Sequence, residues 1–227
     1  MKWRNFMVNL ELSELLENLK VAFSETFLMC GTSIGLSILF GVPLGLFIYI
    51  TRKGLFWENR FLNFVGGFLV NIIRSTPFVI LLVLLIPFTQ LVVGSSIGPL
   101  AASVPLSIVA IAFYARLVES SLCEVDHGVI EAATAIGASH FRIIKDVLLP
   151  EALPGLYRGL TMTAVSLVGY SAMAGIVGGG GVGDLAIRFG YYRYQTDVMI
   201  ITVVLLIVLV QLVQFFGDTV AKKAEKK

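Results

Sequence analysis

Charge is what this sequence has least of. Only 14% of its 227 residues are Asp, Glu, Lys or Arg, and 57% are hydrophobic, whereas a soluble domain carries about 25% charged residues. So few charges cannot clothe a water-facing surface on every side. Cysteine is scarce too. Cys30 and Cys123 sit in or beside apolar runs with neither metal-ligand spacing nor a disulfide framework, and both read as buried thiols. His127 and His140 have no matching ligand set, so no metal site is expected. The phosphate loop Gly-x-x-x-x-Gly-Lys-Ser/Thr, the His-Glu-x-x-His pair and the Gly-x-Ser-x-Gly elbow are all missing, which removes the commonest nucleotide and hydrolytic chemistries. One formal glycine match exists, Gly178-Gly179-Gly180-Gly181-Val182-Gly183. It follows an apolar helix where a dinucleotide site needs a strand, so the nucleotide reading fails on context. No catalytic or cofactor-binding residue and no nucleic-acid partner is expected of this chain.

What is present is a series of apolar runs. A helix crossing about 30 Å of hydrocarbon needs about 20 apolar residues. The stretches 26–50, 75–94, 97–115, 159–177 and 198–216 come to or near that length and contain no Asp, Glu, Lys or Arg apart from the charges that bound them. The expected fold class is therefore an all-α integral membrane protein with five transmembrane helices, in contact with lipid. The second run opens Ser75-Thr76-Pro77, a cap-like pair before a proline suited to a first turn. Pro43 and Pro87 mark places where a span can bend. Gly31 and Gly35, and again Gly41 and Gly45, stand four apart, a spacing that lets helix backbones approach closely in lipid. The short apolar stretch 61–73 precedes Arg74, and a surface or near-surface position is expected for it, since Arg at the bilayer centre costs at least about 2.5–3.5 kcal/mol.

The chain divides into an amphipathic segment 1–25, a membrane domain 26–218 and a Lys-rich tail 219–227. Leu10, Leu12, Leu15, Leu16 and Leu19 recur near helical spacing among Glu11, Glu14, Glu17 and Lys20, the pattern of an interfacial helix and not of a cleavable signal. Orientation follows from the basic residues. With the amino terminus outside, the inner face receives Arg52, Lys53, Arg60, Arg116, Arg142, Lys145, Arg158, Lys222, Lys223, Lys226 and Lys227. The outer face receives only Lys2, Arg4, Lys20, Arg188 and Arg193.

The loop between the third and fourth runs carries the most information. It reads Glu131-Ala132-Ala133-Thr134-Ala135-Ile136-Gly137 and continues to Val147-Leu148-Leu149-Pro150. Gly137 suits a left-handed helix end, Ser139 a following cap, and Pro150 a stop. The Glu131 carboxylate is expected near a helix amino end. In the fourth run, Ser166, Tyr170 and Met173 are candidate pore or gate residues, because small and polar surfaces there are interrupted by one bulky, adaptable side chain.

Glu-Ala-Ala, three residues, Gly, nine residues, Ile, one residue, Leu-Pro is the signature of ABC-importer permeases, which this loop resembles through Glu131, Ala132, Ala133, Gly137, Leu149 and Pro150, with Val147 in place of Ile. The stretches Asn71-Ile72-Ile73-Arg74-Ser75-Thr76-Pro77-Phe78, Leu149-Pro150-Glu151-Ala152-Leu153-Pro154-Gly155-Leu156 and Leu167-Val168-Gly169-Tyr170-Ser171-Ala172-Met173 are similar to the methionine-uptake branch, over about 26–218. The resemblance implies a type I importer permease fold whose cytoplasmic loop supplies a coupling helix for an ATPase. It implies a homodimer, two cytoplasmic ABC ATPase subunits that use ATP and Mg, an extracytoplasmic substrate-binding lipoprotein, and the bacterial cytoplasmic membrane as location. The expected solute is methionine, D or L, with another amino acid or small organic solute as the alternative. A passive channel would not need a docking loop in this register, and an intramembrane enzyme would need paired carboxylates, a Ser/His set or a metal set, which the apolar runs lack.

Overall fold

The computed structural model describes residues 12–225, and no strand occurs among them. The first eleven residues and the last two lie outside, including Leu10 and Glu11 of segment 1–25 and the basic residues Lys2, Arg4, Lys226 and Lys227. Eleven helices follow in order: α1 Leu12–Leu36, α2 Val42–Ile50, α3 Arg60–Ser75, α4 Phe78–Leu84, α5 Ile86–Val93, α6 Pro99–Cys123, α7 His127–Ala135, α8 His140–Arg142, α9 Leu149–Gly175, α10 Gly181–Leu185 and α11 Thr196–Ala224.

Among the described residues three helical runs are long and apolar enough to cross a membrane: Glu14–Ile50, Pro99–Cys123 and Thr196–Ala224; the pair Arg60–Ser75 and Phe78–Leu84, bent by 105°, would make a fourth as one broken span. The first has 37 residues, about 55 Å at 1.5 Å per residue. That exceeds the hydrocarbon thickness, so the polar turns around Glu14, Glu17 and Lys20 continue the same helix beyond it. α9 is long enough, but Thr161, Thr163, Ser166, Tyr170 and Ser171 dilute its apolar character.

Local chemistry explains the breaks. Pro43 follows a π-helical turn at Ser37–Gly41, whose wider spacing accommodates the proline ring and the backbone bond that proline cannot donate. α3 begins where Asn59 Oδ1 accepts from Leu62 N at 3.0 Å. It ends at Thr76, whose hydroxyl donates back to Ile72 O at 2.9 Å. Thr76 therefore closes α3 and does not cap the helix after it. Stretch 75–94 becomes two helices, with Leu85 between them and Pro87 in the first turn of α5. Gly94, left-handed at φ 79°, ends α5.

The chain forms two compact units. The first contains residues 12–32, 78–106 and 166–211, the second 33–77, 107–165 and 212–225. α1, α6, α9 and α11 contribute residues to both. In the first, Leu15, Leu19 and Ala22 of α1 pack with Val182, Leu185, Phe189 and Val198. In the second, the core gathers Tyr49, Tyr114, Val118, Leu122, Ile143, Leu148 and Leu156. Here α2 crosses α6 closely. A side chain on Gly41 would meet Ile111 O at 3.2 Å, and one on Gly45 would overlap Ala115 O and Val118. Gly31 and Gly35 have nothing within 4 Å. Close approach, expected at both glycine pairs, occurs within this chain at only one. α3, formed by stretch 61–73, buries Gly66 and Val70 against Ile48. Its Phe61, Phe64 and Phe68 are exposed, and Arg74 lies 5.8 Å from the Phe113 ring.

Candidate functional site

The candidate residues fall into two groups, one in each unit. In the second unit the group is the loop after α6. That helix continues beyond position 115 to Cys123 because its charges are paired. Glu119, almost fully buried, faces Arg116 at 2.5 Å and Arg52 at 4.0 Å. Arg52 Nη1 donates to Cys123 Sγ at 2.6 Å. Cys30 is buried as expected, whereas Cys123 is exposed, since it ends the helix beside that guanidinium.

Asp126 starts α7, its Oδ1 accepting from Gly128 N at 2.8 Å. Asp126 is thus the amino-terminal cap, and Glu131 lies mid-helix with its side chain exposed. At the other end Gly137 has φ 81°, and the Ala138 N–H reaches back to Ala133 O at 3.1 Å, a left-handed helix stop as the sequence indicated. Ser139 occupies the next cap position in extended conformation without a side-chain cap bond. Its carbonyl instead accepts from Ile143 N at 3.0 Å. Pro150 does not stop the helix. A π-helical turn at Ile143–Leu148 leads directly into α9, so proline occupies a first-turn position where its missing N–H costs little.

The signature residues divide by role. Ala133 is buried with Ile130 in the core, and Val147 and Leu149 pack against it. Glu131, Ala132 and Pro150 are exposed. α7, α8 and the 54–56 turn enclose an open groove of about 710 Å³ lined by Phe56, His127, Ile130, Glu131 and His140. The Phe56 and His140 rings are 5.1 Å apart. No group of three potential metal ligands occurs among the described residues. Pattern reading missed Ile136, 85% exposed, and Phe141, 70% exposed. They flank the Gly137 turn and present two large apolar side chains outward, the usual mark of a contact surface. Because Gly137 needs a positive φ that a β-branched residue resists, Gly137→Val should cost about 1–2 kcal/mol locally. With no atom within 4 Å of its Cβ position, the global fold should survive. Circular dichroism should be unchanged.

In the first unit the group lies on α9. Ser166, Tyr170 and Met173 recur at four and three residues and share one face. Tyr170 stacks on Phe78 at 5.0 Å, Ser166 is partly buried, and Met173 is 44% exposed. Behind Met173 the chain turns through the glycine run and re-enters the fold. Gly181, Val182, Gly183, Leu185, Ala186, Phe189 and Gly190 are all buried. What fills the concave side of these glycines is protein: Glu25 at Gly180, Thr26 and Met29 at Gly181, Ala172 at Gly183. Much of the run is packed; Arg188 is exposed within it, and exposure becomes continuous from Tyr191 to Tyr194. Both Arg188 and Arg193 lie over the Phe189 ring, at 5.1 and 4.5 Å.

The family described as "Binding-protein-dependent transport system inner membrane component" matches residues 41–226. The chain belongs to that family. As a member it is a permease component of an importer and an inner-membrane protein. It is 49% identical over 203 residues to the "Probable D-methionine transport system permease protein MetI" of Vibrio cholerae, covering 89% of this chain and 90% of that one. It is 44% identical over 180 residues to the "Methionine import system permease protein MetP" of Bacillus subtilis, covering 79% and 81%. Its fold matches a chain of the MetNI methionine ABC transporter in an inward-facing conformation, at TM-score 0.91 and 44% identity over 95% of this chain and 99% of that one.

Proposed function

We propose that this permease is the translocation subunit of an ATP-driven methionine importer, and that two copies enclose the path. The observation that carries this reading is the match, over 89% and 79% of the chain, to methionine-transport permeases of two bacteria. The five crossings are the α1–α2 run, the broken α3–α5 stretch, α6, α9 and α11, within a membrane domain of 26–218. The amino terminus is outside, and the tail 219–227 is in the cytoplasm. Two ATPase subunits hydrolyse ATP with Mg, and this chain has no ATPase site of its own. An extracytoplasmic substrate-binding lipoprotein delivers the solute.

The chain's own residues divide the work. Glu131, Ala132, Ala133, Gly137, Val147, Leu149 and Pro150 form the coupling loop. Ala133, Val147 and Leu149 pack it to the core, so a push on the loop is transmitted to α9 as a rigid unit. Ser166, Tyr170 and Met173 line the path. A span diluted by hydroxyls and glycine suits a helix facing a solute and a partner copy better than one surrounded by lipid. Met173 closes the path with a flexible apolar side chain. In a methionine auxotroph without its own uptake system, this chain with its ATPase and binding protein should restore growth on low D-methionine. Restoration by a different amino acid precursor alone would redirect the substrate assignment.

Orientation is tested in a background of Cys30→Ala and Cys123→Ala. An impermeant thiol reagent added outside should modify Lys20→Cys and spare Lys223→Cys, and the reverse pattern would contradict the topology. Receptor docking is assigned to the exposed tyrosines with Arg188 and Arg193. The double reversal Arg188→Glu, Arg193→Glu should lower binding-protein-stimulated ATP hydrolysis about 10-fold by slowing association, with unstimulated hydrolysis unchanged.

A further inference from the structure

The re-entrant segment after α9 is held at its start by two side chains of α1, 156 residues away in sequence. Glu25 Oε2 accepts from Gly181 N at 2.7 Å, and Thr26 Oγ1 accepts from Val182 N at 3.0 Å. Thr26 is 2% exposed, and Glu25 is partly buried. The fit leaves no slack. A side chain on Gly180 would meet the Glu25 carboxylate at 2.5 Å, and one on Gly181 would meet Thr26 Oγ1 at 2.8 Å. Both glycines have positive φ, 77° and 86°, which turns the following amides toward α1 at no side-chain cost.

The held segment bears on the stretch of α9 that carries Met173. Gly183 packs directly on the Ala172 backbone, and a side chain on Gly175 would meet Asp184 N at 2.5 Å. Gly179 N donates to Ala174 O at 3.0 Å. Residues on both sides of Met173 are therefore in backbone contact with a segment whose position depends on Glu25. A carboxylate in this role is stronger than a neutral acceptor.

We propose that Glu25 is a positioning residue for the gate: with Thr26 it fixes the re-entrant segment against residues 172–175 and keeps the path closed to the outside while no partner protein is docked. The inference rests on the reading of Met173 as part of the gate. Two readouts keep the two apart. In the Cys30→Ala, Cys123→Ala background, Met173→Cys is exposed to an impermeant maleimide in membranes carrying the assembled permease–ATPase complex without ATP. Glu25→Ala should raise the labelling rate about 10-fold, the effect of losing one charge-assisted hydrogen bond. Glu25→Gln, which keeps an acceptor oxygen at the same reach, should raise it less. In parallel, with Met173 intact, Glu25→Ala should raise hydrolysis in the absence of binding protein and so lower the stimulation ratio, with Glu25→Gln again between. A merely structural residue would lower yield and all activities together and leave that ratio alone. Labelling and ratio both unchanged in Glu25→Ala, with normal ATPase association, overturn the proposal. If Met173→Cys resists labelling in every nucleotide state, the gate assignment falls. The ratio then decides Glu25 by itself: a lowered ratio upholds it and an unchanged one overturns it.

Discussion

Replacing Ile136 by Glu is expected to weaken association of this permease with its ATPase about 100-fold, or about 2.8 kcal/mol, with insertion and fold intact. Ile136 is 85% exposed and Phe141 70% exposed, so neither supports the core. In the proposed complex each loses its water to a partner, and a carboxylate at either position would be desolvated without a counter-charge. Phe141→Ser should have a smaller effect of the same sign, because it removes apolar area without adding charge. Glu131→Gln should have less effect still, since it keeps the size of a side chain that lines the adjoining groove. Pull-down with the ATPase and uptake on the same membranes check the series. Normal binding by Ile136→Glu would place the coupling contact elsewhere.

The second large effect is expected within the bundle. Gly45→Val should destabilise the subunit by about 3 kcal/mol, the upper end for overpacking, because the added carbons would overlap the Ala115 carbonyl oxygen and Val118. A backbone atom cannot swing aside as a side chain can. Gly31→Val and Gly35→Val, with nothing within 4 Å of either Cβ position, should leave the isolated subunit within about 0.5 kcal/mol of the parent. Thermal unfolding in detergent, followed by circular dichroism, compares the three. Equal losses would mean that the α2–α6 crossing is looser than described.

These contrasts show what the sequence could and could not disclose. Apolar length located the long helices well, because a bilayer imposes one length scale on every span. It ended the third run at position 115 because Arg116 and Glu119 look like loop residues until Arg116 and Arg52 are seen around Glu119. Gly137 was legible, since a left-handed helix end leaves few alternatives to glycine. Gly31–Gly35 and Gly41–Gly45 were indistinguishable, since spacing permits a close crossing without naming the neighbour. Ile136 and Phe141 escaped notice for a similar reason. An apolar residue beside a helix end reads as core, and only exposure reveals an outward face. Pro150 read as a stop because the widened turn before it leaves no local mark. The Glu25–Gly181 contact joins positions 156 apart, and nothing near either residue announces it.

This chain should carry methionine across a membrane only when coupled to ATP hydrolysis by a partner. Proteoliposomes containing the permease, its ATPase and the binding protein test it directly. With binding protein and labelled methionine presented on the extracytoplasmic face and ATP supplied on the ATPase face, methionine should accumulate above its external concentration. Omitting ATP, or introducing Ile136→Glu, should abolish accumulation. Methionine that equilibrates at the same rate without ATP or without the ATPase would make the chain a passive pore and contradict the account.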